Sequence, residues 1–320
     1  MLKWLKGVVT NREVLLALVL LAVFLGVGIR VPRFVSRGSI INLLFDASTV
    51  GIVAIGLTIV IIGGGIDISI GSILVASAIM AGLIAQEDVS PWIAVGIGVA
   101  GGAALGAVNA MLITKLKIPP IVVTLATLSI FRGVLTELTK SKLIGGLPSS
   151  FTAIGKGRVG GVPYPVWIML GLFVVAALAM RFTGFGRVVY SIGSNEAAAR
   201  LSGVAVSRYQ ALTYVISGSL AGLAGVVFVA RNGTVLPTSG SGLELLVIAA
   251  VVVGGTNIFG GEGSIAGTAV AAVLLQTITS AMVVLGISSA WQGAVIGVTI
   301  LVGVTIFVFG QRRRERELLA

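Results

Sequence analysis

Leu15-Leu16-Ala17-Leu18-Val19-Leu20-Leu21-Ala22-Val23-Phe24-Leu25-Gly26-Val27 runs for 13 residues without a charged or polar side chain. Val247-Ile248-Ala249-Ala250-Val251-Val252-Val253 does the same near the other end of the chain. A strand of a membrane barrel would alternate apolar and polar residues at every second position. These runs do not alternate. In lipid the backbone must satisfy its own hydrogen bonds, which leaves helices once barrels are excluded. A helix needs roughly 20 apolar residues to cross the hydrocarbon core, and segments of that kind recur along the chain.

The composition agrees. Of 320 residues, 57% are hydrophobic and 10% charged, and the mean hydropathy is +1.12. Soluble domains carry about 25% charged residues, so the solvent of this chain is lipid. The expected fold is an all-α polytopic membrane protein of about ten transmembrane helices, with residues 1–320 as a single transmembrane domain. The spans fall at about Val14–Ile29, Ile40–Ile62, a short segment ending near Ala85, Trp92–Ile113, Ile121–Leu138, Pro165–Arg181, Tyr209–Ala230, Leu243–Val253, Ser264–Leu285 and Trp291–Phe309. Met1–Glu13 is basic like a signal peptide, but no small-residue cleavage site follows Leu15–Val27, so that run reads as a retained first helix.

Cysteine and histidine are both absent. That removes disulfides, thiol catalysis, Cys/His metal sites and His-based triads. No catalytic residue, metal site or cofactor is expected. The net charge of +11 does not imply nucleic acid, because many of the 22 basic residues sit in short loops between apolar runs. With the N-terminus inside, 13 of the 22 basic residues fall on the inner side, those of the tail Gln311–Arg316 among them. The outer side holds nine, including Arg30, Arg33 and Arg37 against the trend, with the acidic turn Glu87-Asp88.

Glycine supplies the punctuation. Gly64-Gly65-Ile66-Asp67-Ile68 interrupts one apolar stretch and Gly254-Gly255-Thr256-Asn257-Ile258 another; Gly71-Ser72-Ile73 and Gly263-Ser264-Ile265 follow each. Paired interruptions of this kind point to two related halves with Gly-interrupted helices around a transport pathway; chance matching of Gly-rich sequence is the plain alternative. Gly64, Gly65, Asp67, Ser69, Gly71, Ser72, Gly254, Gly255 and Asn257 are the candidate pathway and helix-break residues. Gly98, Gly101, Gly102 and Gly106, and Gly218, Gly222 and Gly225, have the spacing that lets helices pack closely in lipid.

Among the 11 acidic residues, Asp67 stands out, because an ionisable group among apolar neighbours is costly. Two roles are open to it: accepting hydrogen bonds from N–H groups freed at the helix break, or binding substrate or a coupling ion. Asp46 has no obvious partner motif. No G-x-x-x-x-G-K-[ST] loop is present, so the chain has no phosphate-binding loop of that type.

The loop at about 183–208 contains Ser194-Asn195-Glu196-Ala197-Ala198-Ala199-Arg200-Leu201. Ser194 or Asn195 suits the N-cap, Glu196 the first turn, and Gly203 the stop. This short helix is either a rigid handle for a motor or an ordinary surface helix.

Gly64–Ser72, Leu116-Lys117-Ile118-Pro119-Pro120-Ile121-Val122-Val123-Thr124-Leu125, the Gly193–Gly203 loop, Gly242-Leu243-Glu244 and Gly254–Gly267 together resemble the ribose-type ABC importer permeases, in that family's order and over almost the whole chain. The resemblance implies a permease domain with no enzyme activity of its own, in a bacterial plasma membrane with both termini cytoplasmic. It implies a cytoplasmic ABC ATPase, a periplasmic or lipid-anchored solute-binding protein and a second permease copy or paralogue, with Ser194–Leu201 coupling to the ATPase. Asn11-Arg12-Glu13, Leu116–Pro120 and Gly145-Gly146-Leu147-Pro148 look like permeases for rhamnose or the autoinducer-2 furanosyl signal, while ribose, xylose and galactose permeases share most other motifs. An ion-coupled transporter using Asp67 or Glu244, and a passive channel, are the alternative readings.

The missing phosphate loop has a direct consequence. The purified chain alone should neither bind nor hydrolyse ATP; turnover by a preparation free of motor subunit would refute a partner-driven mechanism.

Overall fold

The computed structural model describes residues 12–87, 89–288 and 290–319, with backbone alone from residue 306 onward. Lys3, Lys6, Asn11 and Asp88 lie outside the described residues, as do the side chains of the basic tail Gln311–Arg316. Helices start and stop at sequence breakers. α1 spans Arg12–Arg30 and leads through a 3-10 turn, Pro32–Val35, into α2, Arg37–Ile62. Ser36 caps α2 by accepting a hydrogen bond from the Ser39 amide at 3.3 Å. α3 (Ile70–Gln86), α4 (Pro91–Thr114) and α5 (Pro120–Thr139) follow. Pro91 and Pro120 occupy first-turn positions, where a missing N–H costs nothing.

Between α5 and the next long helix lie a short helix α6, Ser149–Lys156, and a small hairpin of β1, Arg158–Val159, with β2, Val162–Pro163. α7 (Tyr164–Phe182), α8 (Gly184–Ser194), α9 (Glu196–Leu201), α10 (Val206–Asn232), α11 (Leu243–Val253), α12 (Ile265–Val284) and α13 (Ala290–Leu319) complete the chain. Among the described residues, seven helices, α1, α2, α4, α5, α7, α10 and α12, are long and apolar enough to cross a membrane. Ile70–Gln86, Leu243–Val253 and Ala290–Thr305 are shorter apolar helices. These ten elements match the ten expected spans in order and position.

The ends of the helices define two faces. On the near face, Arg12 Nη2 donates to the Val252 carbonyl at 3.3 Å, Ser264 Oγ to Glu13 Oε1 at 2.6 Å, and the Gly261 amide to the Ile62 carbonyl at 2.9 Å. On the far face, Gln86 Nε2 donates to the Gly145 carbonyl at 2.6 Å, Ile144 bridges Val235, and Arg231 pairs with Asp46.

α2 is the axis of the bundle. Every residue from Ala47 to Ile62 is buried, as expected of a helix that is apolar all round. α10 packs against α2, α3 and α4 by bringing backbones together. A side chain at Gly102 would have its Cβ 2.7 Å from the Gly222 Cα, and one at Gly56 would stand 2.8 Å from the Ser217 Cα. Gly218 faces Gly102 and Gly106 in return. The glycine stripes noted in the sequence are therefore two sides of one helix crossing. Lipid tails are as apolar as the side chains, so close van der Waals packing of small residues holds such helices together.

Replacing Gly102 or Gly218 with Leu should force α4 and α10 apart. Overpacking of this kind costs at least about 1–3 kcal/mol, so melting in detergent should fall clearly below that of Gly96→Leu, whose site has open space.

Candidate functional site

α2 stops at Ile62 and α3 starts at Ile70; the Gly63, Gly64 and Gly65 amides bond back to the Ile59, Ile61 and Val60 carbonyls of α2, and the Ser69 carbonyl accepts from the Ile73 amide of α3. Gly64 takes φ +81°, a conformation that favours glycine. Asp67 is fully buried and ties the break together. Its Oδ1 accepts from the Ser69 amide at 3.1 Å and the Ser69 hydroxyl at 2.6 Å, and its Oδ2 from the Ser217 hydroxyl of α10 at 3.2 Å. Asn109 of α4 donates to Ser69 Oγ at 2.7 Å, and Ser72 Oγ donates to the Ser69 carbonyl at 2.8 Å. The Ile66 carbonyl accepts from Thr124 Oγ1 of α5 at 3.2 Å. Four helices thus satisfy one seven-residue interruption. This is the hydrogen-bonding role open to Asp67 from the sequence, extended by Ser217, 150 residues away from it, and by Asn109, 40 residues away from Ser69.

The second interruption, Gly254–Ser264, is longer. Asn257 closes it: Oδ1 accepts from the Phe259 amide at 3.0 Å, Nδ2 donates to the Gly260 carbonyl at 3.0 Å, and its amide donates to the Glu262 carbonyl at 2.9 Å. Gly255, Gly260 and Gly261 all take positive φ. Ser264 caps α12 through the Gly267 amide at 3.0 Å, whereas Gly71 and Ser72 of the matching motif lie inside α3. The two motifs therefore serve different turns of the chain.

A third interruption, 233–242, faces the first. Glu244, in the first turn of α11, lies where a side chain on Gly71 would point. α3 runs from there toward the far face and α11 toward the near face, so the two start side by side and diverge. α11 has 11 residues, about 16 Å of rise and roughly half a bilayer core. Discontinuous helices with adjoining N-termini are the geometry of transporter cores built from inverted halves. Glu244 Oε1 accepts from the Gly242 amide at 3.2 Å, and Oε2 has no hydrogen-bond partner among the described residues.

The loop 183–208 is mostly helical, which the sequence reading assigned only to its second part. α8 buries Gly186, Val189 and Ile192. Asn195 caps α9, accepting from the Ala198 amide at 2.9 Å, while Ser194 ends α8 and donates its hydroxyl to the Tyr190 carbonyl at 2.9 Å. Gly203 ends the turn with φ +82°. Glu196 pairs with Arg200 at 2.8 Å on the surface. Ala199 turns inward against Ile192 and Val206, so its side chain is committed to this chain. Ala197, Ala198 and Leu201 point outward, and Leu201 is 91% exposed. Gly193 is wedged between the Ile62 carbonyl and the Gly261 amide, and Gly260 packs against Gly64. Tyr190 also donates to the Gly263 carbonyl at 2.9 Å. The loop touches both glycine breaks backbone to backbone.

On the far face a cleft of about 800 Å³ opens between α2, α11, α12 and α13. Ser39, Asn42 and Asp46 line it from α2, Gln276, Thr279 and Ser280 from α12, and Gln292 from α13. None of these is among the pathway residues expected from the sequence. The signal was there: 39, 42 and 46, and 276, 279 and 280, are polar stripes at helical spacing within apolar spans. Asp46, which lacked a partner in the sequence, pairs with Arg231, whose guanidinium also sits 3.9 Å over the Phe45 ring.

A bundle of broken apolar helices around a closed hinge, with a polar cleft on one face and a shaped loop on the other, defines a polytopic transport subunit. The chain belongs to the family described as branched-chain amino acid transport system / permease component, which matches residues 39–304. It is 39% identical over 303 residues to the ribose import permease protein RbsC of Bacillus subtilis, covering 94% of this chain and 93% of that one. It is 34% identical over 296 residues to the autoinducer 2 import system permease protein LsrC of Klebsiella pneumoniae, covering 92% and 86%. It is 32% identical over 292 residues to the L-arabinose transport system permease protein AraH of Escherichia coli, covering 91% and 89%. The chain is a multi-pass membrane permease, a transport component and not an enzyme.

The Asp67 network yields a graded test. Asp67→Asn keeps an acceptor for Ser69 and should express and melt close to wild type. Asp67→Leu strands buried donors at about 1–3 kcal/mol, and its melting temperature and yield should drop. Equal stability of the two variants would remove the structural role.

Proposed function

We propose that this chain is the membrane-spanning permease subunit of an ABC importer for a sugar or sugar-like solute. The near face is cytoplasmic, both termini lie on that side, and the membrane is the bacterial plasma membrane. The whole chain acts as one permease domain. It pairs with a second copy or a paralogue, receives solute from a periplasmic or lipid-anchored binding protein, and is driven by a cytoplasmic ABC ATPase. The relatives, permeases of ribose and autoinducer 2 import systems and of an L-arabinose transport system, support a carbohydrate-like solute.

One observation carries the mechanism: Gly193, at the end of α8, touches the Ile62 carbonyl and the Gly261 amide. A push on Ser194–Leu201 from outside would move Gly193 against both breaks at once. Gly64, Gly65, Asp67, Ser69, Gly71 and Ser72 then act as the first joint, and Gly254, Gly255 and Asn257 as the second. Cores repack between discrete arrangements and do not deform continuously, so a displacement of one loop suffices to switch α3 and α12 relative to α2. The exposed Ala197, Ala198 and Leu201 form the contact for the motor, with Glu196 and Arg200 beside them. Asn195 and the inward Ala199 hold α9 in shape.

Ala198→Glu tests the coupling. The side chain faces outward, so insertion and folding should be intact, while an unpaired charge buried at the ATPase contact costs several kcal/mol. Co-purification with the ATPase, or stimulation of ATP hydrolysis by loaded binding protein, should fall at least tenfold. Normal assembly and stimulation would reduce α9 to an ordinary surface helix.

A further inference from the structure

We infer that the far-face cleft is a monosaccharide site on the translocation route, with Asn42, Gln276 and Gln292 receiving the sugar hydroxyls; this rests on the importer reading. The cleft measures about 800 Å³, within the 300–1,000 Å³ range of small-molecule sites. Its floor is Ser241, Gly242 and Leu243, where α11 begins. The lining is unusual for this protein. Three carboxamides converge from three different helices, and none of their side chains makes a hydrogen bond within the described residues. Ser39, Thr279 and Ser280 add hydroxyls.

The chemistry selects the ligand class. A carboxamide presents a donor and an acceptor side by side, and a sugar hydroxyl needs both. Asp46 is neutralised by Arg231, so the wall offers no uncompensated charge for an ion. A cleft for an acyl chain would not be lined by three uncommitted amides, which lose hydrogen bonds to water if apolar matter covers them. Leu243, Leu246 and Ile296 leave apolar surface for the C–H face of a sugar ring. Neutral hydrogen bonds of this kind exchange readily with water, so the site holds solute only in passing, as a conduit must.

The test uses the complete importer in proteoliposomes with its ATPase and binding protein, and radiolabelled aldopentoses, aldohexoses and 6-deoxyhexoses as probes. For the sugar that wild type imports best, Asn42→Leu, Gln276→Leu and Gln292→Leu should each lower uptake at least fivefold, with binding-protein-stimulated ATP hydrolysis within twofold of wild type. Gln276→Asn should recover part of the loss. The chain has no cysteine, so Asn42→Cys and Gln276→Cys can be labelled with a membrane-impermeant maleimide without background. Loaded binding protein with ATP should slow that labelling at least threefold. Unchanged uptake in all three Leu variants would overturn the inference. If those variants do not assemble, equal labelling with and without sugar overturns it, as does cross-linking of position 276 between two copies without loss of import. A wild-type complex that imports none of the probes strikes the importer reading itself.

Discussion

A helix that stops inside a membrane leaves carbonyl and amide groups with no water to bind, and each unsatisfied group costs several kcal/mol. The break at Gly63–Ser69 exists because Asp67, Ser69, Ser217, Asn109 and Thr124 take up those groups and one another. Everything else depends on that closure. Without it α2 would continue through Gly64, α3 would not start beside α11, and the inverted pair of half-helices at Gly71 and Glu244 would not form. A buried carboxylate held by hydroxyls and an amide is a costly way to make a turn, and it is tolerated because its hydrogen bonds come from several packed helices.

On the proposed mechanism, the same break is where force enters. Glycines at 64, 193, 260 and 261 remove the side chains that would separate three segments, so backbone meets backbone. Contacts of that kind have little slack, since no rotamer can absorb a displacement. The far-face cleft sits at the other end of the same elements, lined by α2 and by the start of α11. α2, α11 and α12 each run between the near face and that polar lining.

Much of the site could be read before the fold was seen. Gly64, Gly65 and Asp67 announce a broken helix because glycine and a charge interrupt an apolar run, and Asn195 announces a cap because Glu196 and a helix-forming run follow it. Other parts could not. Ser217, Asn109 and Thr124 are common residues in helices, and nothing local says that they meet Asp67, Ser69 and the Ile66 carbonyl. α8 is hard to read from sequence because Gly186 and Gly193 look like loop, yet they are the positions where the helix lies against Met180, Ile62 and Gly261. Asn42, Gln276 and Gln292 are single polar residues in apolar spans, which carry meaning only when three of them share a cavity.

The sequence by itself determined that the chain lives in lipid, that it crosses as about ten helices, where two of those helices break, and that the loop near 194–201 is a capped helix. These follow from composition, hydrophobic run length and the backbone preferences of glycine, proline and capping residues, which act over a few neighbours. The tertiary structure decided which break faces which, that Ala199 points inward while Leu201 points out, which hydroxyls hold Asp67, and where the polar cleft lies. Most of those are contacts between segments 40 to 251 residues apart, set by how closely glycine-bearing helices approach, and no local preference encodes them.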